Sequence, residues 1–240
     1  MAKAESVVSA EAAPRPAGET LADQAFKAMR EDLLAGRLAP GLRLRLGEIQ
    51  LRYGLGMSPV REAMLRLASE GLVVAEGQRG FSVASVSLDE LHDLTRTRER
   101  VEALALQDAI AHGDANWEAD MMAAFHRLRR APVPVGAQDV EVANAWEALH
   151  RDFHHSLVAA CGSPWLLRLH TQLVQHSERY RRVRLFHATP SAMLLRDVER
   201  EHEALVKAAL ARDPVKACAL MEKHLRRTEK MVEAQWGAGA

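Results

Sequence analysis

The chain has 240 residues, 32 basic and 32 acidic side chains, and no run near the roughly 18 apolar residues of a membrane span. This balance excludes a general attraction to nucleic acid, so any DNA binding must come from local arrangement. Its two cysteines, Cys161 and Cys218, form no CxxC pair, which excludes a disulfide framework and favours a reducing cytoplasm.

The N-terminal third predicts a tail and three short helices. Residues 1–19 have no long apolar core and are expected to form a disordered tail. Apolar residues at helical spacing follow in "LADQAFKAMREDLLAG", and Gly36 ends this first helix. A second helix is predicted over Leu46 to Tyr53. A third begins in "SPVREAMLRLASEG", with Ser58 as its N-cap, and ends at Gly71.

Two strand-like segments complete this module, which spans residues 20–87. The segments run from Leu72 to Ala75 and from Phe81 to Val86, and a glycine-containing turn joins them. Three helices and a two-stranded wing form a winged helix-turn-helix, whose third helix enters the major groove. The module holds nine Lys or Arg residues against seven acids, a weak bias. The layout alone therefore leaves two interpretations open, a DNA reader and a small helical domain with ordinary surface arginines.

Residues 88–236 predict an all-helical domain, so the chain as a whole is mostly α. The breaks between its helices are "HGDAN", "APVPVGAQ", "CGSP", "HATPS" and "RDP". The six predicted helices cover 88–112, 116–130, 139–161, 164–186, 191–212 and 214–236.

The stretch "GRLAPGLRLRLGEIQLRYGLGMSPVREAMLRLASEGLVVAEGQRGFSV" resembles the DNA-binding domain of GntR-family transcription regulators. The resemblance implies that Arg61 contacts DNA and that Ser58 supplies a hydroxyl beside it. Relatives commonly carry Ser or Thr at Gly56, Arg at Met57 and, in some cases, Arg at Gly47, so the target sequence cannot be inherited from them. The candidate DNA-contacting residues are Arg45, Met57, Ser58, Arg61, Gln78 and Arg79.

The helical part resembles the FadR subgroup of that family and its FCD effector domain. The matching stretches include "FHHSLVAACGSPWL", "EREHEALVKAALARD" and "ALMEKHL". Many FCD domains hold a divalent metal between an Asp or Asn, a His four residues later, and one His from each of two later helices. The resemblance thus implies His154, His202 and His224 as ligands, while His150 stands where relatives carry the acid or amide.

Helix geometry independently supports the first pair of histidines. Residues four apart on a helix are neighbours, so His150 and His154 can point at one ion. Four imidazoles would suit zinc or nickel better than magnesium. Whether His150 is a ligand stays open. His155 points about 100° away from His154 and is not expected to bind the ion. His170 and His176 are predicted to lie on the surface or behind the ligands.

Effectors of the family are mostly small organic acids, and Arg98 matches a family arginine on the first bundle helix. We therefore expect Arg98 to receive an effector carboxylate, with a structural ion pair to a neighbouring acid as the alternative. A DNA-binding homodimer, most simply a repressor, follows from this interpretation. Two alternatives are a regulator whose sensor domain no longer binds a ligand and a His-ligated metalloenzyme. The metalloenzyme lacks an HExxH motif, so no enzyme is expected.

Overall fold

The mostly α fold is confirmed by a computed structural model, which describes residues 19–34, 36–77, 80–134, 140–187 and 192–236. The predicted tail lies outside this part of the chain, except for Glu19. The elements, in chain order, are α1 (Leu21–Leu34), β1 (Arg43–Leu44), α2 (Leu46–Tyr53), α3 (Met57–Ser69), β2 (Val73–Ala75), β3 (Phe81–Val83), α4 (Leu88–His112), α5 (Ala115–Arg130), α6 (Val140–Val158), α7 (Pro164–His187), α8 (Ala192–Leu210) and α9 (Pro214–Trp236).

The first three helices pack around one small core and are braced by a buried acid. Asp32 of α1 accepts hydrogen bonds from Tyr53 (2.7 Å) and Arg52 (2.8 Å) of α2, and from Arg37 (2.5 Å). Burial alone would raise the pKa of Asp32, but these donors outweigh it and hold the pKa below its ordinary value. The acid therefore fixes α2 against α1, which sets the position of α3.

The wing contains one strand more than predicted. β3 lies in the centre of an antiparallel sheet, with β2 on one side and β1 on the other. Leu44 of β1 pairs with Phe81 of β3. A two-residue strand has no alternating pattern of its own and exists because β3 offers it a partner, so sequence periodicity could not reveal it.

Helix α3 begins earlier than predicted, because Gly56 occupies the N-cap position in an extended conformation. Ser58 is instead the second residue of the helix, so its prediction as the N-cap was wrong. Pro59 then falls within the first turn, where a missing backbone N–H leaves no hydrogen bond unmade. Val60, Ala63, Met64 and Leu67 face the core at helical spacing.

The second half is a six-helix bundle whose boundaries agree with the predicted ones to within three residues. α4 packs against α7 and α9, and α6 packs against α5 and α7. Side-chain caps fix two helix starts, since Ser87 accepts from the Glu90 amide and Asp114 accepts from the Trp117 amide. Among the described residues, no helix has both the length and the hydropathy to cross a membrane.

Helix α7 also contacts the DNA-binding half. His176 of α7 lies against Gly71, which follows α3, and a Cβ at Gly71 would come within 2.4 Å of the His176 ring. Arg179, one turn on, donates to Glu90 at 3.0 Å and lies 3.3 Å from His176 Nδ1. The imidazole is therefore held between α3 and the bundle.

Candidate functional site

The outward face of α3 carries three of the predicted DNA-contacting residues. Its inward face is apolar, so Met57, Ser58 and Arg61 lie on the side away from the core, and all three are exposed. Met57 retains 49% of its accessible surface, although it is a large apolar residue. The N-terminal turns of a recognition helix are the part that reaches base edges in a helix-turn-helix.

Of the other predicted DNA-contacting residues, the structure describes Arg45 but not Gln78 or Arg79. Arg45 is exposed at the start of α2 and forms an ion pair with Glu48 at 3.0 Å. Gln78 and Arg79, predicted at the tip of the wing, lie outside the described residues. Arg61 has no acidic partner among the described residues, so its guanidinium is available to a phosphate or a base.

Four buried histidines from three helices converge in the bundle. His150 and His154 come from α6, His202 from α8 and His224 from α9, and none exposes more than 4% of its surface. One ring nitrogen of each lies within 4.8 Å of a ring nitrogen of every other. The structure thus brings together all four residues that the sequence suggested, including His150.

Four of the eight ring nitrogens in this cluster are buried and have no protein partner. Nδ1 of His150, Nε2 of His202 and both nitrogens of His154 are buried without a hydrogen bond. Burial, followed by neighbouring histidines and arginines, lowers the pKa of these three residues well below the ordinary value. Neutral imidazoles with free lone pairs are the form that coordinates a metal. The donor set therefore fits a transition metal.

Neighbouring side chains orient two of the rings. Glu201 accepts from His224 Nδ1 at 2.9 Å, which leaves Nε2 to face the cluster. Arg227 holds the same carboxylate at 2.6 Å. Trp146, one turn before His150, stacks on the His150 ring at 4.8 Å. Sequence reasoning missed these roles, although the position of Glu201 next to His202 was a usable signal.

Two buried ion pairs flank the histidines. Arg98 of α4 donates to Glu102 at 2.8 Å, and Arg181 of α7 donates to Glu147 of α6 at 2.9 Å. Glu102 lies 3.9 Å from His154 Nδ1, and Glu147 lies 3.9 Å from His150 Nδ1. The ion pair foreseen as the alternative for Arg98 is thus present. Arg181 carried no recognisable signal in the sequence.

A cleft opens beside both arginines, between α4, α7 and α9. Its enclosed volume is about 20 Å³, enough for about one water molecule, and about 290 Å³ is reached only when the open solvent at its mouth is included. Hydroxyl, charged and apolar side chains line it together. The lining residues are Leu91, Thr95, Arg98, Ser177, Tyr180, Arg181, Leu225, Thr228, Glu229 and Val232.

His155 and His170 are arranged differently from each other. His155 is exposed and outside the cluster, as helical geometry predicted. His170 was expected on the surface or behind the ligands, but it is 1% exposed and both of its ring nitrogens lack a partner. Burial lowers the pKa of His170. The charge of Glu102 acts in the opposite direction, and the charge of Arg98 lowers the pKa further.

Two family models match this chain. One describes bacterial regulatory proteins of the gntR family and covers residues 21–83, and the other describes the FCD domain and covers residues 93–227. The chain is 37% identical over 225 residues to BphR of Paraburkholderia xenovorans (strain LB400), an uncharacterized HTH-type transcriptional regulator, across 93% of this chain and 90% of that protein. It is 36% identical over 200 residues to the HTH-type transcriptional repressor GlaR of Escherichia coli (strain K12), across 83% and 90%.

Solved structures show the same fold. The chain superposes on E. coli McbR/YncC with a TM-score of 0.73 at 23% identity, covering 91% of this chain and 99% of that one. One matched model covers the half that carries the exposed face of α3, and the other covers the half that carries the histidine cluster. The chain therefore belongs to the GntR family of bacterial regulatory proteins and is an HTH-type transcriptional regulator with an effector-binding FCD domain.

Proposed function

We propose that this regulator is a metal-dependent repressor whose affinity for operator DNA changes when a small organic acid binds the bundle. In this proposal residues 20–87 form the DNA-binding domain, residues 88–236 form the sensor and dimerisation domain, and the chain is of the FadR subgroup. The observation that carries the proposal is the buried cluster of four histidines with unpartnered nitrogens. The similarity of this chain to a transcriptional repressor of E. coli supports the direction of control.

We assign the metal to His150, His154, His202 and His224, with zinc or nickel as the ion. Imidazole nitrogens favour these ions over magnesium or calcium, which prefer oxygen ligands. When bound, such an ion supplies a coordination position that can accept a carboxylate oxygen. Glu201 holds the His224 ring and Trp146 holds the His150 ring in the orientation that the metal needs.

We place the effector carboxylate at the mouth of the cleft lined by Arg98 and Arg181, which must widen to admit the whole ligand. A carboxylate is bound most strongly by a guanidinium, and the low dielectric of a buried site strengthens that interaction. The cleft extends from Arg98 to Leu91 near the start of α4, where Glu90 contacts α7. Occupancy of the cleft can alter DNA affinity only if the effector distinguishes the DNA-competent state from the other state.

We propose that the protein is a cytoplasmic homodimer that binds a two-fold operator. Two DNA-binding domains are needed because such an operator has two half-sites. Both cysteines are free, which agrees with a reducing compartment. A regulator that no longer senses a ligand is less well supported, because its histidine cluster would have no reason to stay unpartnered. A metalloenzyme is not proposed, since the matched family models and relatives are those of transcription regulators.

The metal assignment is tested by measuring bound zinc and nickel in the purified chain and in His154→Ala. We expect the variant to lose metal, while His155→Ala keeps it. His155 is the matched control, since it is the next residue on the same helix and is exposed. Unchanged metal content in His154→Ala would show that the cluster is not the site.

DNA binding is tested by a gel shift on the DNA upstream of the protein's own gene, at several salt concentrations. Arg61→Ala should weaken binding and lower the slope of log affinity against log salt by about one if Arg61 contacts a phosphate. Arg96→Ala is the control, since Arg96 is exposed on α4 of the bundle. Equal effects of the two variants, or no salt-sensitive binding, would contradict the assignment.

A further inference from the structure

The first residue of helix α3 is a large apolar side chain that faces solvent. We propose that Met57 reads the methyl group of a thymine in the major groove, so that each half-site of the operator carries a thymine at that position. This inference rests on the proposed function, because it takes residues 20–87 to bind operator DNA through α3. It adds the base that this chain prefers and the side chain that selects it.

Met57 does not belong to the core of the DNA-binding half. It retains 49% of its accessible surface, whereas Met64, two turns further along the same helix, is completely buried. The free energy gained by covering an apolar side chain is therefore still available at Met57. A single exposed apolar residue is common on protein surfaces, so it is the position of Met57 that makes its exposure informative.

Met57 occupies the part of a recognition helix that reaches base edges. Gly56 precedes it as the N-cap and supplies no side chain, and the first turn of α3 contains no acidic residue. A Cβ added at Gly56 would have only Pro59 Cδ within 4 Å, at 3.9 Å. Within α3, neither a capping side chain nor an acid of the first turn therefore stands between Met57 and a DNA groove.

The thioether of Met57 cannot form the strong hydrogen bonds that distinguish most bases. Its sulfur is a weak acceptor and carries no donor. In the major groove guanine, cytosine and adenine present only hydrogen-bonding groups, whereas thymine adds a methyl group. A polar base edge covered by an apolar side chain loses its hydrogen bonds to water, which is unfavourable. An apolar side chain at this position therefore favours thymine over the other three bases.

Arg61 limits where this thymine can lie. It follows Met57 by one helical turn, and both side chains are exposed. Residues four apart on a helix have Cβ atoms about 5–6 Å apart, and consecutive bases of one DNA strand are separated by about 3.4 Å along the axis. The thymine should therefore lie within about two base pairs of the phosphate or base that Arg61 contacts.

The test compares the same DNA with and without the thymine methyl group. The DNA upstream of the protein's own gene is amplified once with dTTP and once with dUTP, because uracil differs from thymine only by lacking that methyl group. Both products are titrated with the full-length protein in a gel shift. Burial of one methyl group corresponds to about fourfold in affinity for each half-site, so a two-fold operator should bind about tenfold more tightly when it contains thymine.

Three variants assign the preference for thymine to one side chain. Met57→Gln keeps the length and helix propensity of methionine but ends in an amide, so it should reduce the preference to less than about threefold. Met57→Leu stays apolar and should keep most of it. Leu65→Gln is the matched control and should keep all of it, since Leu65 is 54% exposed on the same helix but lies two turns from Met57. The ratio of the two affinities cancels any general change in DNA binding.

The outcomes separate this inference from the proposed function. Equal affinity of the wild-type protein for the two DNAs overturns the reading of a thymine methyl group but leaves DNA binding standing. A preference that survives in Met57→Gln assigns the methyl contact to another residue and overturns the role of Met57, and so does an equal loss in Leu65→Gln. If the wild-type protein shifts neither DNA, the proposed control of this DNA fails and the inference fails with it.

Discussion

Gly71→Ala should disturb the contact between the DNA-binding half and the helical bundle, which Gly71 and His176 form. Gly71 has a φ of +67°, which is strained for any residue with a Cβ and costs about 1–2 kcal/mol. The new Cβ would lie 2.4 Å from His176 Cε1, where ordinary contact begins near 3.4 Å. The imidazole must therefore retreat by about 1 Å, and overpacking of this kind costs about 1–3 kcal/mol more.

Gly36→Ala is the matched control for this prediction. Gly36 has a φ of +69°, but nothing lies within 4 Å of an added Cβ. Urea unfolding followed by circular dichroism should show a larger loss of unfolding free energy for Gly71→Ala than for Gly36→Ala. His176→Ala combined with Gly71→Ala should recover the packing part of the loss. Equal losses at the two glycines, or no recovery in the double variant, would refute the contact.

Two further predictions concern acids that organise the two halves. Asp32→Asn should lower the unfolding free energy at neutral pH by about 2 kcal/mol, because it weakens hydrogen bonds to a charged group. The pKa of Asp32 is held below its ordinary value, so its contribution to the unfolding free energy is present above that value and is lost as pH falls through the folded pKa. Urea unfolding of both proteins at pH 7 and pH 3 checks this. A free-energy difference between wild type and Asp32→Asn that is the same at both pH values would contradict it. Glu201→Gln should weaken zinc affinity by about 10–100-fold, measured by competition with a chromogenic chelator. Glu203→Gln, two residues on, should leave that affinity unchanged.

The helices of the bundle and the pairing of His150 with His154 could be predicted because their signals are local, whereas His202 and His224 were implied by the family resemblance. Ser87 caps α4 and Gly113 ends it, so the limits of that helix are written in its own residues. The position of His150 and His154 on one helix face follows from a spacing of four. The burial of His170 could not be predicted in this way, because it depends on which face of α7 packs against α4 and α6.

Charge balance around the histidines gives one reason why metal and effector should bind together. Glu201 is the acid nearest the cluster, at 2.9 Å from His224 Nδ1, and Glu102 and Glu147 lie 3.9 Å from His154 and His150. Each of these acids is paired with an arginine, which is Arg227, Arg98 or Arg181. With neutral imidazoles, the ion pairs of these acids sum to zero, so a divalent ion leaves two positive charges without a partner. An uncompensated buried charge is strongly unfavourable. An anion that reaches the ion would therefore stabilise the bound state.

This reasoning predicts that removal of the metal weakens carboxylate binding by tenfold or more, within the range of coupling between two sites. Calorimetry with malate, before and after chelation, measures the effect, and the same factor must appear in the zinc affinity with and without malate. His150→Asp supplies one negative charge to the site, so it should reduce this factor. If chelation left the malate affinity unchanged, or if His150→Asp did not alter the factor, charge balance would not be what joins the two sites.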